Sequence, residues 1–327
     1  MNEAQTRIAA VGAGRMGRGI ALAFAYGGYE VDLVDLKPRG TDAWQRLVRE
    51  AREEMAASLA TLAELGAMPA GAVERVLARI RLVREPDAGT ALRSADVIFE
   101  AVTETLEAKR DVFARTCALA REDAILASTT STILVTDLAP FATRAERLLN
   151  AHWLNPAYVI PLVELSTHPG TSAGVVSRLR TLLEDIGKVP VVCGATPGYI
   201  VPRLQALVMN EAARMVEEGA ASAEEIDKAT RYGLGLRFAA LGVVEFIDYG
   251  GNDILYYASR YLAERVSRER FAPPAIVERL MHEGRIGLKS GEGFYDYRGR
   301  DVAAYRKDAL ARVLGMLRHA GLYRPPR

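Results

Sequence analysis

The run RIAAVGAGRMGRGIALAFAYGGYEVDLVDL, residues 7–36, constrains the fold more than any other stretch. Residues 7–11 are a short apolar run that reads as a buried strand, and Gly12-Ala13-Gly14-Arg15-Met16-Gly17 follows at once. From Met16 to Ala25 the apolar residues are dense enough for a buried helix, Gly27-Gly28 ends it, and residues 30–36 read as the next strand. A strand, a GxGxxG loop opening a helix, and a second strand ending in an acid form a parallel α/β unit shaped for a dinucleotide. Gly12 allows the tight turn and Gly14 lets the backbone approach a pyrophosphate. Gly17 lets the helix pack on the strand, so that the helix N-terminus, with Met16 in its first turn, faces the phosphates. Asp35 stands where a carboxylate accepts from both ribose hydroxyls and repels a 2′-phosphate, which favours NAD over NADP.

The rest of the composition excludes more than it assigns. A net charge of +1 over 327 residues gives no basic groove for nucleic acid and no membrane-binding surface. The two cysteines, Cys117 and Cys193, have neither metal-ligand nor redox spacing, and no metal is expected. The first residues, MNEAQTRIAAV, lack the apolar core of a signal peptide, and no apolar run is long enough to span a bilayer. The expectation is a cytoplasmic enzyme of two domains.

Further along, residues 41–65 and 69–80 read as two helices separated by Gly66 to Pro69, and no lysine or arginine occurs from Met55 to Glu74. Residues 95–102 read as a buried strand whose far end meets the nicotinamide, followed by Glu104 and a helix carrying Lys109. Those two either pair near the ligand or are a helix-start acid and a solvated lysine. Residues 124–129 form another strand, and Thr129-Thr130-Ser131-Thr132 is a hydroxyl cluster at its carboxyl end. Such a run is often a helix cap. At this position Ser131 could instead donate to a substrate oxygen.

In AHWLNPAYVIPLVELS, residues 151–166, His152 lies on one strand-like run, Asn155-Pro156 forms a turn, and Glu164 lies on a second run. Across such a hairpin the imidazole and the carboxylate can meet. The carboxylate would hold one ring nitrogen and leave the other as a general base near neutral pH. The bland alternative is a core histidine with a satisfied hydrogen bond beside a strand-end glutamate. The dinucleotide unit upstream favours catalysis, and Asn155 becomes a candidate substrate contact. A helix over 172–187 and a strand over 188–193 complete a first domain, 1–195. From Tyr199 the chain turns almost wholly helical, giving a second domain, 196–327, that begins with one long helix stopped by Gly219. Ser222 with Glu225 three residues on signals a capping box. Residues 238–262 are apolar and aromatic enough to be buried between subunits, and 287–297 read as a glycine-broken loop.

VGAGRMGRGI, EAVTETLEAK, STTST, HWLNPAYVIPLVEL, KVPVVCGATPGYI, NEAARMVEEG and GRIGLKSGEGFYDY together make the chain resemble the 3-hydroxyacyl-CoA dehydrogenase superfamily nearly end to end. The resemblance implies a Rossmann-like NAD-binding domain followed by an all-helical domain that forms a homodimer, and NAD-dependent oxidation of a 3-hydroxyl. It places His152 and Glu164 on the catalytic pair, Ser131 on the substrate-hydroxyl serine, and Asp35, Glu104 and Lys109 on NAD contacts. Pro202 departs from the family's asparagine in the segment PGYIVPR, and the bare stretch 55–74 departs from the lysines that meet CoA phosphates. Arg237, in GLGLRFAALG, replaces a proline-methionine-glycine turn and resembles the L-gulonate 3-dehydrogenase (lambda-crystallin) and carnitine dehydrogenase branch, whose substrates are free carboxylates. An arginine fork there could read a carboxylate; a surface or interface salt bridge is the alternative. The expected substrate is a small L-3-hydroxy acid. A 3-hydroxyacyl-CoA is the runner-up, and a non-catalytic, crystallin-like nucleotide binder the reading from another class.

Overall fold

The computed structural model describes residues 6–326. The chain groups into two compact units that divide between Val208 and Met209. The first unit runs β1 (Ile8–Val11), α1 (Arg15–Tyr26), β2 (Val31–Val34), α2 (Thr41–Glu64), α3 (Val73–Leu77), β3 (Ile80–Val83), α4 (Ala88–Ser94) and β4 (Val97–Glu100). It continues through α5 (Leu106–Leu119), β5 (Ile125–Ser128), α6 (Val135–Leu138), β6 (Leu148–Trp153), β7 (Leu162–Thr167), α7 (Ala173–Asp185) and β8 (Val189–Gly194), and then enters α8 (Val201–Glu217).

The strands form one sheet in the order β3-β2-β1-β4-β5-β6-β7-β8. Every neighbouring pair is parallel except β6 and β7. The Rossmann-like fold follows from the sequence pattern. Strands such as IAAV and VIFE are buried along their whole length because helices cover both faces. Side chains of alternate parity feed two separate cores. Ile8, Ala10, Val97 and Phe99 join Phe24 and Trp153 on one face, while Ala9, Val11 and Ile98 join Leu92 and Phe113 on the other. The chain order reverses between β1 and β4, and the crevice beyond their carboxyl ends is where such a sheet receives a ligand.

One expectation is corrected here. Residues 69–80 are not one helix: a short turn and α3 give way at Ile80 to β3, an edge strand the sequence reading missed. Its only sheet neighbour is β2, and Arg81 points outward to bind Asp32 bidentately at 2.7 and 2.8 Å, so the run RIRLV never shows a continuous apolar signature. The compact first unit takes in the start of α8. The backbone N–H groups of Ile200 and Val201 are bonded to Glu164, which ties the start of α8 to the sheet.

In the second unit the rest of α8 is followed by α9 (Ala223–Ala229), α10 (Leu236–Ala240), α11 (Val243–Gly250), α12 (Asn252–Arg265), α13 (Arg268–Phe271), α14 (Ala275–His282) and α15 (Val302–His319). The Ser222 hydroxyl caps α9 by accepting from Glu225 N at 3.3 Å. Between α9 and α10 the backbone over Thr230–Gly235 is π-helical, a one-residue widening found often at functional sites. The loop 287–297 is fastened by Asp248, wholly buried, whose carboxylate accepts from Phe294 N at 3.0 Å and Tyr295 N at 2.8 Å.

Candidate active site

The crevice at the end of β1 holds a cavity of about 460 Å³ lined by Gly12, Ala13, Gly14, Asp35, Arg39 and Val102. Gly12 has φ +114°, and a Cβ there would lie 2.4 Å from Ala101 O; a Cβ on Gly17 would lie 1.9 Å from Gly12 O. No other residue fits either position. Gly14, by contrast, has nothing within 4 Å of its absent Cβ, so the loop is open toward the cavity at that point. The first N–H groups of α1 lack intrahelical acceptors and form an anion site at its mouth. The half-buried Met16 side chain packs against the core, so what it can present to a phosphate is backbone. Asp35 is buried at the carboxyl end of β2 with its carboxylate held by Arg39. These features fit the pyrophosphate and ribose of NAD.

His152 and Glu164 are direct register partners on the antiparallel pair β6 and β7. Residues opposite one another in such a pair stand close enough for side chains to join. His152 Nδ1 lies 2.8 Å from Glu164 Oε2, with His152 buried to 5% and Glu164 to 0% exposure. The second oxygen, Glu164 Oε1, accepts from Ile200 N at 2.9 Å and Val201 N at 2.8 Å, at the N-terminal start of α8. With Nδ1 committed to a carboxylate, Nε2 is left as the acceptor nitrogen, and it has no hydrogen-bond partner among the described residues. The Tyr199 ring lies face to face with the imidazole, centroids 4.8 Å apart and planes 11° apart. The Tyr199 hydroxyl donates to Thr130 O at 2.7 Å and accepts from Asn150 Nδ2 at 3.0 Å. Burial, foremost among its causes, keeps that hydroxyl protonated by pushing its pKa up.

Glu104 organises the hydroxyl cluster. Its Oε1 accepts from the Thr130 hydroxyl, from Ser131 N at 2.9 Å, and from Thr132 N and Oγ1 at 3.0 Å each. Burial alone would raise the Glu104 pKa, but the Thr130 hydroxyl, the Lys109 charge and the Thr132 donors outweigh it and hold the carboxyl below its ordinary value. The Ser131 hydroxyl is exposed and has no partner among the described residues. Lys109 is not a solvated lysine: it is fully buried. Its ammonium is 2.9 Å from Glu100 Oε2 and 3.5 Å from Glu104 Oε2, so its tie is chiefly to Glu100 and it supports Glu104 from beneath.

Asn155 is exposed on the connection between β6 and β7. That connection is held by the buried Lys188, whose ammonium donates to Ala157 O at 2.7 Å and Ile160 O at 2.9 Å. Pro202 sits in the first turn of α8, where its missing N–H costs little. Arg237 belongs to the second unit; it is exposed, its Nε donates to Gly233 O at 2.8 Å, and its guanidinium lies 5.1 Å over the Phe246 ring.

Glu100, Tyr199 and the N–H groups of Ile200 and Val201 were not read from the sequence. Glu100 ends an apolar strand and looks like any strand-end acid, and the others act through backbone direction and ring placement that spacing does not encode.

A family model described as "3-hydroxyacyl-CoA dehydrogenase, NAD binding domain" matches residues 7–196, and one described as "3-hydroxyacyl-CoA dehydrogenase, C-terminal domain" matches residues 198–297. Among characterised relatives, 5-formyl-3-hydroxy-2-methylpyridine 4-carboxylate 5-dehydrogenase of Mesorhizobium japonicum is 30% identical over 95% of this chain and 97% of its own. The human mitochondrial hydroxyacyl-coenzyme A dehydrogenase is 34% identical over 89% and 91%. Among solved structures, the 3-hydroxyacyl-CoA dehydrogenase of Archaeoglobus fulgidus superposes with a TM-score of 0.77 at 33% identity, covering 98% of this chain and 100% of that one.

Proposed function

The chain belongs to the 3-hydroxyacyl-CoA dehydrogenase family, an NAD-dependent oxidoreductase acting on CH–OH, and from that premise we propose that His152 is its general base and a small L-3-hydroxy carboxylic acid its substrate. The observation that carries the base is the His152–Glu164 pair, with Nδ1 held at 2.8 Å and Nε2 free. In oxidation the substrate hydroxyl gives its proton to Nε2 while the carbon gives up a hydride, leaving a 3-oxo product and an imidazolium. Bound NAD supplies the hydride acceptor. Glu164, held by two N–H groups, orients the ring and stabilises its cation. Ser131 offers a free hydroxyl to the substrate oxygen, Asn155 a further polar contact, and Asp35 and the glycine loop take the cofactor.

The free acid is favoured by the absence of any cation from Met55 to Glu74, since multiply charged CoA phosphates would lack basic partners along that stretch. The Mesorhizobium relative, whose name specifies a carboxylate, points the same way. Arg237 is the proposed carboxylate clamp: among the described residues its guanidinium stacks on Phe246 and hydrogen-bonds only through Nε, so its terminal amines remain for a bidentate contact. The second reading, a 3-hydroxyacyl-CoA thioester, is favoured by the Archaeoglobus structure and the human relative. The second unit is proposed to pair with that of another copy.

NADH absorbance with L-3-hydroxybutyrate, L-gulonate, L-carnitine and L-3-hydroxybutyryl-CoA decides between the substrates. Turnover confined to free acids, with KM rising about tenfold or more in Arg237→Met, is expected; turnover mainly of the thioester would reverse the assignment. Replacement of His152 by Gln should cost about 10²–10⁴ in kcat and leave NADH binding intact. Surviving turnover would remove His152 as the base.

A further inference from the structure

The connection from β2 to α2 carries two cations, Lys37 and Arg39, beside the acid that follows β2. Asp35, Lys37 and Arg39 all line the cavity of about 460 Å³ that also takes in Gly12 and Gly14. Asp35 is buried to 5% exposure, and Arg39 Nε donates to its carboxylate. Arg39 makes no other hydrogen bond among the described residues, so its two terminal amines are unengaged. The Lys37 ammonium, on an exposed residue, has neither hydrogen bond nor ion pair there. The cavity's other cations are committed. Arg18 pairs with Glu54, and Arg115 donates to Leu36 O at 2.7 Å and to Glu85 at 3.0 Å. Two cations therefore accompany one carboxylate at the end of β2, more positive charge than that carboxylate needs. In a sheet of this kind the acid at that place receives the ribose hydroxyls, and an arginine beside it is what accommodates a 2′-phosphate. Here the two stand together. A phosphate monoester brings up to about two negative charges and three acceptor oxygens, which an arginine fork and a lysine match and a neighbouring carboxylate opposes.

We propose that Arg39 and Lys37 form a built seat for the 2′-phosphate of NADP that Asp35 keeps shut, so that one carboxylate decides between the two dinucleotides. While Asp35 is present, it holds the Arg39 fork and meets an incoming phosphate with like charge. Once Asp35 is replaced by a neutral side chain, the fork is released and Lys37 adds a second cation. The inference goes beyond the substrate reading and uses neither His152 nor Ser131; it rests only on the reading that Asp35 takes the adenosine ribose.

Equilibrium binding of NADH and NADPH, followed by nucleotide fluorescence, tests it on the wild type, on Asp35→Ser, and on Asp35→Ser combined with Arg39→Leu or with Lys37→Met. Asp35→Ser should weaken NADH binding about tenfold and tighten NADPH binding about ten- to a hundredfold. Adding Arg39→Leu should take back most of the NADPH gain and Lys37→Met a part of it, so that the ratio of NADPH to NADH affinity falls in both. Calorimetry with 2′,5′-ADP, and with ADP as the probe lacking the 2′-phosphate, should give the same order for the adenosine half alone. Asp35→Asn, which keeps the side chain's shape and removes only its charge, is measured in parallel and should move NADPH binding in the same direction. A loss of NADH binding without a gain for NADPH, a gain that survives both cation replacements, or a gain for NADPH that 2′,5′-ADP does not share would overturn the proposal. NADH binding untouched by Asp35→Ser would remove the ribose reading as well, which separates its failure from that of the phosphate seat.

Discussion

The ring of Tyr199 covers one face of His152 while its hydroxyl bridges Thr130 O and Asn150, so one side chain touches the imidazole proposed as the base, the hydroxyl loop and β6. Its backbone has φ +46°, the only positive value at a described non-glycine residue, and such a conformation costs about 1–3 kcal/mol. That cost is sustained by the two buried hydrogen bonds, and it turns the next two N–H groups onto Glu164. Under the proposed mechanism the stack also matters chemically: an imidazolium formed at His152 would face an aromatic π surface. The ring and the hydroxyl therefore have separable roles. Tyr199→Phe should keep kcat near wild type while lowering stability by about 1–3 kcal/mol, because Thr130 O and the Asn150 amide lose a partner. Tyr199→Leu should lower kcat by roughly tenfold, in line with a cation–π contribution, with substrate KM and NADH binding little changed. Steady-state kinetics beside thermal melts read both; a Leu variant as fast as the Phe variant would show that the ring does not serve the base.

At the scale of elements, the turn after β5 is held in shape by a carboxylate belonging to the turn after β4: Glu104 gathers Thr130, Ser131 and Thr132. Its pKa is held below the ordinary carboxylate value, so the folded state favours the ionised form more than the unfolded chain does. The sign follows: this stabilisation is fully present above the unfolded pKa and is lost as pH falls through the lowered folded value. Glu104→Gln should therefore flatten the acid limb. Between about pH 6 and about pH 3 the gap in melting temperature between wild type and variant should shrink, and the protection of the Ser131 and Thr132 amides against exchange should fall with acid in the wild type alone. A gap that stays constant with pH would mean that Glu104 acts through shape and not through charge. These elements also show how far the sequence could be read. The glycine unit was legible because each glycine answers a local steric demand, and the His152–Glu164 hairpin because antiparallel pairing follows from two short apolar runs about one turn. Lys109 was not, since its burial depends on Glu100 across the helix–strand interface, and β3 was not, since an edge strand preceded by Arg79 and bearing Arg81 has no apolar run to betray it.

At the scale of the whole molecule, the second unit exposes several large apolar side chains. Along α12, Ile254, Tyr257 and Tyr261 are 61%, 59% and 62% exposed. They stand at i, i+3 and i+7, so they form one stripe on one face of the helix. The unit's part of α8 adds exposed Met209, Met215 and Val216, and the whole helix has no buried residue. The sequence marked 238–262 as subunit-facing from its composition, but composition alone could not say which residues of α12 form the stripe; the helical register does. An exposed apolar stripe of this kind signals an interaction site, and a twofold pairing of the α12 stripe from two copies is the economical way to cover it. A stable interface of that sort buries about 1,200–2,000 Å². Sedimentation of the full chain at micromolar concentration should accordingly give a dimer, and Tyr261→Asp, at a position too exposed for its loss to disturb the fold, should give a folded monomer with an unchanged far-ultraviolet circular dichroism spectrum. A wild type that sediments as a monomer at tens of micromolar, or a variant that remains dimeric, would take the pairing away from α12.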